Sequence, residues 1–221
     1  MNIAPSLANF VPGLRVQKHN AAPILSAPAK WACPVWLDNR PYMLPADDQG
    51  QTQTCAGQAM AGLIEAWRWR ATHTPNPVNG FAIYSEAKRL DNESSPGTTF
   101  DSAFAAAKSL ALIPPYTTFL RIPSVSDLRF ALHRHGVILA GFNITDGWEF
   151  PDHGGWIEPS TKDLGGHAVA LCWFDPAGIG FQNSWGANWG VRGFGRITWE
   201  QASAQFVDAI ALDFTGKDSP Q

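Results

Sequence analysis

The sequence predicts an α+β protein with a helical lobe followed by a lobe built on an antiparallel sheet. Between residues 55 and 112, apolar side chains recur every three to four positions, which is typical of helices that bury one face. After residue 136, short β-type runs separated by Gly, Pro and Asp replace that pattern. Helices followed by strands give an α+β fold, and 221 residues are enough for two small lobes that share a cleft.

Composition and charge exclude several classes of partner. The net charge is −3 and no block of like charges occurs, so neither a nucleic acid nor an anionic membrane is expected as a partner. No apolar run reaches the roughly 18 residues that a membrane-spanning helix needs. His and Cys residues do not cluster with other ligands, so no metal site and no cofactor is predicted. We expect a monomer.

The cysteine count and the N-terminal sequence predict the cellular compartment of the protein. The chain has 3 Cys, an odd count that argues against a disulfide framework, and Cys33 and Cys172 are predicted to be buried thiols. The first basic residue, Arg15, follows the apolar residues instead of preceding them, and prolines interrupt the apolar stretch, so no secretory signal is predicted. A cytoplasmic protein is expected, with export by a signal-independent route left open.

The first 48 residues carry little regular structure. Residues 1–30 are rich in Pro and Ala without a sustained period, which predicts an irregular N-terminal arm. Two alternatives stay open for this arm, either a mobile segment or a latency segment that lies in the cleft. Residues 31–48 are predicted to be extended and packed across a surface, ending in a turn over residues 47–50.

Three helices are predicted in the helical lobe, residues 49–113. The most apolar begins at Cys55 and runs to Arg70, and the hydroxyls of Thr52 and Thr54 are expected to cap its first turn. The others cover residues 80–90 and 101–112. Two consecutive prolines at 114 and 115 then end the helical pattern and begin the crossing to the second lobe.

The second lobe, residues 114–214, begins with one helix and continues with strands. A helix over residues 127–135 is predicted, capped by Ser126 and ended by Gly136. The predicted strands cover residues 137–144, 167–174, 179–182, 194–198 and 206–212. They are expected to form an antiparallel sheet or a partly closed barrel, and residues 215–221 are a tail.

Cys55 is the first candidate for chemistry. A thiol at a helix N-terminus feels the positive end of the backbone dipole, which favours the nucleophilic thiolate. The alternative is that Cys55 is a small buried apolar residue, the commonest fate of a free cysteine. The other candidates in the chain decide between them.

His167 and Asn183 are candidates for a base and its orienting partner. His167 begins a predicted strand after two glycines, which leave its imidazole little side-chain cover and suit it to proton transfer. The amide of Asn183 can accept the imidazole N–H and thereby set which ring nitrogen faces the thiol. Trp185 and Trp189 follow closely, and an indole over that hydrogen bond would exclude water.

Gln49 is the candidate for stabilising the oxyanion of a tetrahedral intermediate. Together with the backbone N–H of Cys55, its side-chain NH₂ can form a two-donor oxyanion hole. From composition alone, Gln51, Gln53 and Gln58 remain competitors.

Three blocks together resemble the signature of papain-like cysteine peptidases: DQGQTQTC, GGHAV and QNSWGANWGVRGFGRI, in that order. The resemblance covers roughly residues 36 to 212, and its last block is very specific. It implies a two-lobe papain-like catalytic domain over residues 31–214 with the active site in the cleft. The implied activity is thiol-dependent hydrolysis of peptide bonds in protein or peptide substrates.

The resemblance also implies roles for single residues. Gln49 matches the oxyanion-hole glutamine, because Gln-Gly followed five residues later by Cys is the family's arrangement. Cys55 then matches the nucleophile, His167 the general base and acid, and Asn183 the orienting amide. Residues implied to bind substrate are Gly97, Gly166 and Trp185.

Some features depart from the family's pattern, and two other functions stay open. Gln-Thr-Cys-Ala stands where the family has Gly-Ser-Cys-Trp, and the interval from Cys55 to His167 is shorter than in the plant and lysosomal members. The same residues would also serve an isopeptidase, an amidase or a transferase, which a substrate panel separates. A catalytically silent binding module is the second alternative, which labelling with a thiol-directed electrophile separates.

Overall fold

The computed structural model describes residues 12–16, 22–92 and 94–215. Within them the predicted α+β order, helices first and strands later, is confirmed. The helices are α1 (Cys55–Thr72), α2 (Gly80–Asp91), α3 (Phe100–Ser109), α4 (Leu128–His135) and α5 (Trp199–Gln205). The strands are β1 (Leu37–Asp38), β2 (Thr118–Arg121), β3 (Ile138–Thr145), β4 (Asp163–Phe174), β5 (Gly178–Gln182), β6 (Phe194–Thr198) and β7 (Phe206–Asp213). Of the predicted arm and tail, residues 1–11, 17–21 and 216–221 lie outside the described residues.

The strands form one antiparallel sheet in the order β2-β7-β3-β4-β5-β6, with the short β1 paired to β4. The predicted antiparallel sheet is therefore confirmed, and of the two forms expected, a sheet or a partly closed barrel, the open sheet is the one observed. A sheet closes only when its two end strands hydrogen-bond to each other. Here β2 and β6 are the end strands and do not pair, so the sheet stays open.

The central strand β4 explains how the lobes join. Because side chains alternate along a strand, Ala170 and Cys172 pack into the core shared with α1, while Val169 and Leu171 pack into the core on the other face. The small side chains on the α1 side let helix and sheet approach closely. Cys172 is fully buried, as predicted, whereas Cys33 is exposed and the prediction of a buried thiol there is wrong.

Several boundaries and elements differ from the sequence predictions. Helix α1 begins at Cys55, but the Thr54 hydroxyl makes no capping bond to the backbone, because it is engaged by Thr52 and by Gln58 instead. Helix α5 and strands β1 and β2 were not predicted. The signal for α5 was present, since Thr198 and Gln201 form a reciprocal capping box at its start.

The length and apolarity of the helices decide whether one of them could span a membrane. No helix in the described ranges is both long and apolar enough to cross a bilayer.

Candidate active site

Cys55 lies where helix α1 meets strand β4. It is the first residue of α1, it is 0% exposed, and it packs in the same core as Ala168, the residue after His167. Burial raises the pKa of the Cys55 thiol to about 11, although backbone N–H groups of Ala168, Ala56, Cys55 and Gly13 oppose the shift. The sulfur is thus surrounded by donors suited to a thiolate, but in a covered site that favours the neutral thiol.

His167 and Asn183 are hydrogen-bonded to each other. The distance from His167 Nε2 to Asn183 Oδ1 is 2.8 Å, and the backbone N–H of Ser184 donates to the same oxygen at 2.8 Å. Because a backbone N–H can only donate, the second contact identifies this atom as the amide oxygen. His167 therefore donates its Nε2–H, and Nδ1 is the ring's acceptor. Burial lowers the pKa of His167 to about 4, against the opposing effect of the Asn183 bond.

Two indoles enclose the imidazole. The ring of Trp185 lies with its centroid 4.9 Å from that of His167, tilted by 31°, and Trp148 meets His167 edge-on at 6.1 Å. Trp189 fixes Trp148 by donating its Nε1–H to the Trp148 carbonyl at 2.9 Å. Trp185 and Trp189 were predicted from the sequence. Trp148 was not, because it comes from a different loop and has no sequence signal linking it to the site.

Gln49 is buried and held at both ends of its amide. Its Nε2 donates to the Thr52 carbonyl at 2.7 Å, and its Oε1 accepts the hydroxyl of Ser184 at 2.5 Å. The backbone N–H of Gln49 also donates to the Ser184 carbonyl at 2.8 Å. Ser184 therefore connects Gln49 to Asn183. Its role was not predicted, although it stands inside the Asn-Ser-Trp-Gly block that identified Asn183.

The other glutamines do not share this position. Gln58 lies on α1 and donates to Thr54, while Gln51 is exposed and Gln53 half-buried. Among the competitors that composition left open, Gln49 is the one bonded to the residue next to Asn183.

Residues 12–16, the first of the two described parts of the N-terminal arm, cross this site. The N–H groups of Gly13 and Leu14 donate to the Gly166 carbonyl at 3.2 Å each. On the opposite side, Arg15 N–H donates to the Thr98 carbonyl and Thr98 N–H donates to the Gly13 carbonyl, both at 2.9 Å, so the arm runs parallel to the segment at Thr98. Both lobes therefore contribute backbone groups to one bound strand of chain.

Of the predicted substrate-binding residues, Gly166 bonds this strand directly and Gly97 lies against it. A Cβ at Gly97, whose φ is +76°, would lie 2.5 Å from the Gly13 carbonyl oxygen. The hydrogen bonds come from its neighbour Thr98, whose role was not predicted. Glycine at 97 therefore provides both the turn and the close approach.

Gly13 is the arm residue that covers the thiol. A Cβ at Gly13 would lie 2.7 Å from Cys55 Sγ and 2.7 Å from the Gln53 carbonyl oxygen, so only glycine fits between them. Leu14 is 7% exposed and rests against Gly141, where an added Cβ would lie 2.2 Å from the Leu14 side chain. Arg15 forms an ion pair with Asp91 at 3.2 Å at the rim.

Comparison with known proteins identifies the fold. No protein-family profile matches the chain, and no curated protein matches it. Among solved structures, the chain is similar to xylellain, a cysteine protease from Xylella fastidiosa, with TM-score 0.78, 18% identity and coverage of 94% of this chain and 97% of that one. It is similar to procathepsin B S9 from Trypanosoma congolense, with TM-score 0.71, 13% identity and coverage of 92% and 86%. It is also similar to a recombinant stem bromelain precursor, with TM-score 0.72, 16% identity and coverage of 95% and 78%. The fold is thus the papain-like two-lobe fold that the sequence resemblance implied.

Proposed function

We propose that the protein is a cysteine peptidase whose catalytic residues are Cys55, His167, Asn183 and Gln49. The observation that carries the proposal is the His167–Asn183 hydrogen bond, whose atom assignment leaves Nδ1 as the proton acceptor of the imidazole. A thiol at a helix N-terminus and a base oriented by an amide are the two parts that thiol catalysis requires. The Ala168 N–H beside the Cys55 sulfur supports the pairing of the two parts, since Ala168 directly follows His167.

The proposed reaction has two stages. The Cys55 proton passes to His167 Nδ1, and the thiolate attacks the peptide carbonyl carbon. The oxyanion then forms between the Cys55 N–H and the Gln49 side chain, which keeps a second amide hydrogen besides the one given to Thr52. The imidazolium returns its proton to the leaving amine as the C–N bond breaks, and water activated by His167 hydrolyses the thioester.

The proposed substrates are proteins or peptides bound as an extended strand. The Gly166 carbonyl and the backbone of Thr98 bind the arm, and we propose that they bind the substrate backbone in the same way after the arm leaves. Gly97 permits the close approach, and Trp185 covers the imidazole. Profiling with a diverse peptide library tests the activity. Cleavage blocked by an epoxide reagent supports it, and no cleavage by either the intact or the arm-displaced protein contradicts it.

Replacing Asn183 by alanine is expected to lower kcat much more than it changes KM. The amide is buried and bonded to the imidazole, so its loss is expected to act on proton transfer, a contribution on the order of 10²- to 10⁴-fold. Steady-state kinetics on a fluorogenic peptide measure both constants. A rise in KM with kcat unchanged would show that Asn183 serves binding instead.

We further propose that the arm is a latency segment that blocks the site. It excludes substrate from the Gly166 and Thr98 backbone groups and places Gly13 against the sulfur. The arm itself is poorly placed for cleavage, because the Gly13 carbonyl accepts from Thr98 N–H and so does not point into the proposed oxyanion hole. The activity of the intact chain then depends on how often the arm leaves.

Acid is expected to loosen the arm. In the covered state burial lowers the pKa of His167 from 6.5 to about 4. A site re-exposed to water binds a proton more readily at His167 and releases one more readily at Cys55, whose pKa burial raises from 9.0 to about 11. The covered state therefore has its full stability between about pH 6.5 and about pH 9, and on the acid side loses it as the pH falls toward 4. Hydrogen exchange measures this through the amide protection of Gly13, Leu14 and Arg15, relative to Ile210 in β7. Equal loss at all four amides would indicate general unfolding, and constant protection of the arm would contradict the prediction.

A further inference from the structure

One donor of the proposed catalytic machinery has no partner in the part of the chain that the structure describes. Asn183 Oδ1 accepts from both His167 and Ser184, which leaves Nδ2 on the other side of the amide. Nδ2 is buried and makes no hydrogen bond to any described residue. An unsatisfied buried donor costs about 1–3 kcal/mol, so a partner is expected in this place.

Asn183 lines a small cavity behind the catalytic residues, between α1 and the sheet. The cavity has a volume of about 10 Å³, which is close to the space that one water molecule needs. The polar residues that line it are Asp47, Gln58, Glu65, Gln182, Asn183 and Ser184. A polar site of this size satisfies the conditions for an ordered buried water.

Glu65 is the buried acid of this cavity. It lies on α1, is 6% exposed, and accepts the backbone N–H of Val78 at 2.7 Å through Oε1. Within the described ranges that N–H is its one hydrogen-bond donor, so Oε2 is available to a further donor. The mechanism proposed above gives Glu65 no role.

We propose that a water molecule in this cavity accepts the Nδ2–H of Asn183 and donates to Glu65, so that Glu65 is a positioning residue for Asn183 and, through it, for His167. This inference rests on the proposed function. The carboxylate fixes the orientation of the water, the water fixes the amide plane, and the amide plane fixes the imidazole. No bond is made or broken at Glu65.

The ionisation of Glu65 supports this role. Burial raises the pKa of Glu65 to about 7, with the Asp47 charge acting in the same direction and the Val78 N–H and Arg68 opposing it. Ionised Glu65 can only accept hydrogen bonds. The water therefore points a hydrogen at Glu65 and its oxygen at the Nδ2–H of Asn183. Protonated Glu65 can donate to the water instead and fixes its orientation less firmly. The positioning is therefore expected to strengthen as the pH rises through the Glu65 titration.

A measurement on the full-length protein tests the coupling without any substrate. The ¹⁵N side-chain amide signal of Asn183, assigned by its loss in Asn183→Ala, is followed between about pH 5 and about pH 9. In the unaltered chain it is expected to shift with the Glu65 titration, and in Glu65→Gln this shift is expected to disappear. The exposed Glu158 provides a matched control, because Glu158→Gln should leave the shift unchanged. The same titration in Glu65→Gln as in the unaltered chain would overturn the proposal.

Kinetics in the full-length chain carrying Gly13→Val, which displaces the arm, test the effect on catalysis. At pH values above the pKa of Glu65, Glu65→Gln is expected to lower kcat about 5- to 30-fold with KM unchanged. At pH values below that pKa, the kcat of Glu65→Gln should equal that of the protein that keeps Glu65. Adding Glu65→Gln to Asn183→Ala should cause no further loss, because both act on one imidazole. Losses that multiply would overturn the positioning role. Absence of peptidase activity with the amide titration intact would count against the proposed function alone.

Discussion

The Cys55→Ala variant is expected to lose peptide hydrolysis by a factor on the order of 10⁶ in kcat while it remains folded. Without the sulfur no thioester forms, and neither His167 nor Gln49 supplies a nucleophile. The folded state should change little, because a buried cysteine-to-alanine substitution removes one atom and costs about 1 kcal/mol. The measurement is turnover of a fluorogenic peptide, together with the thermal unfolding midpoint.

The chain offers a matched control for this experiment. Cys33 is an exposed thiol outside the site, so Cys33→Ala should keep full activity and full labelling by an epoxide at Cys55. Hydrolysis that survives in Cys55→Ala would refute the thiol mechanism. Loss of activity in both variants would point to a general effect on folding, which the unfolding midpoints reveal.

The Gly13→Val variant is expected to raise both peptide hydrolysis and alkylation of Cys55 in the full-length protein. A Cβ at Gly13 would approach the Cys55 sulfur and the Gln53 carbonyl oxygen to 2.7 Å each, so the bound position of the arm is penalised. Overpacking of this kind costs about 1–3 kcal/mol, which corresponds to an open fraction raised about 5- to 150-fold. The rate constant for iodoacetamide labelling of Cys55 at neutral pH measures the open fraction, with Cys33→Ala present in both proteins so that the exposed thiol does not react.

A neighbouring substitution in the arm serves as the control. Val16 is 62% exposed, so Val16→Ala should leave the labelling rate of the intact protein unchanged. Equal labelling rates for Gly13→Val and the unaltered chain would mean that residues 12–16 do not control access to the thiol. Faster labelling without peptide hydrolysis would keep the latency role and count against peptidase activity.

The helical lobe and most strands could be predicted from the sequence because local periodicity decides them. Helix α1 has apolar residues at helical spacing on a face that becomes fully buried, and its start at Cys55 was predicted correctly. Strand β1 and helix α5 were not predicted, because they span only two and seven residues and are too short to show a hydrophobic period. The choice between an open sheet and a partly closed barrel could not be made from the sequence, because closure depends on whether the distant strands β2 and β6 pair.

The candidate catalytic residues were predicted because each stands in a block whose residue types and order are specific. Their supporting contacts were not predictable in the same way. Ser184 bonds Gln49 across 135 positions of sequence, and Trp148 reaches His167 from another loop. Such contacts depend on how the lobes dock, and no local pattern encodes that docking.

By itself, the sequence determined the fold class, the order of thiol, imidazole and amide, and the positions of the glycines that flank them, since these follow from residue type and local spacing. Only the tertiary structure decided that the arm lies on the thiol, that burial keeps Cys55 and His167 neutral there, and that Glu65 and Asn183 share one cavity. The physical reason is that burial, hydrogen-bond partners and pKa shifts arise from groups brought together by packing of the two lobes, and packing joins residues that are far apart in the chain.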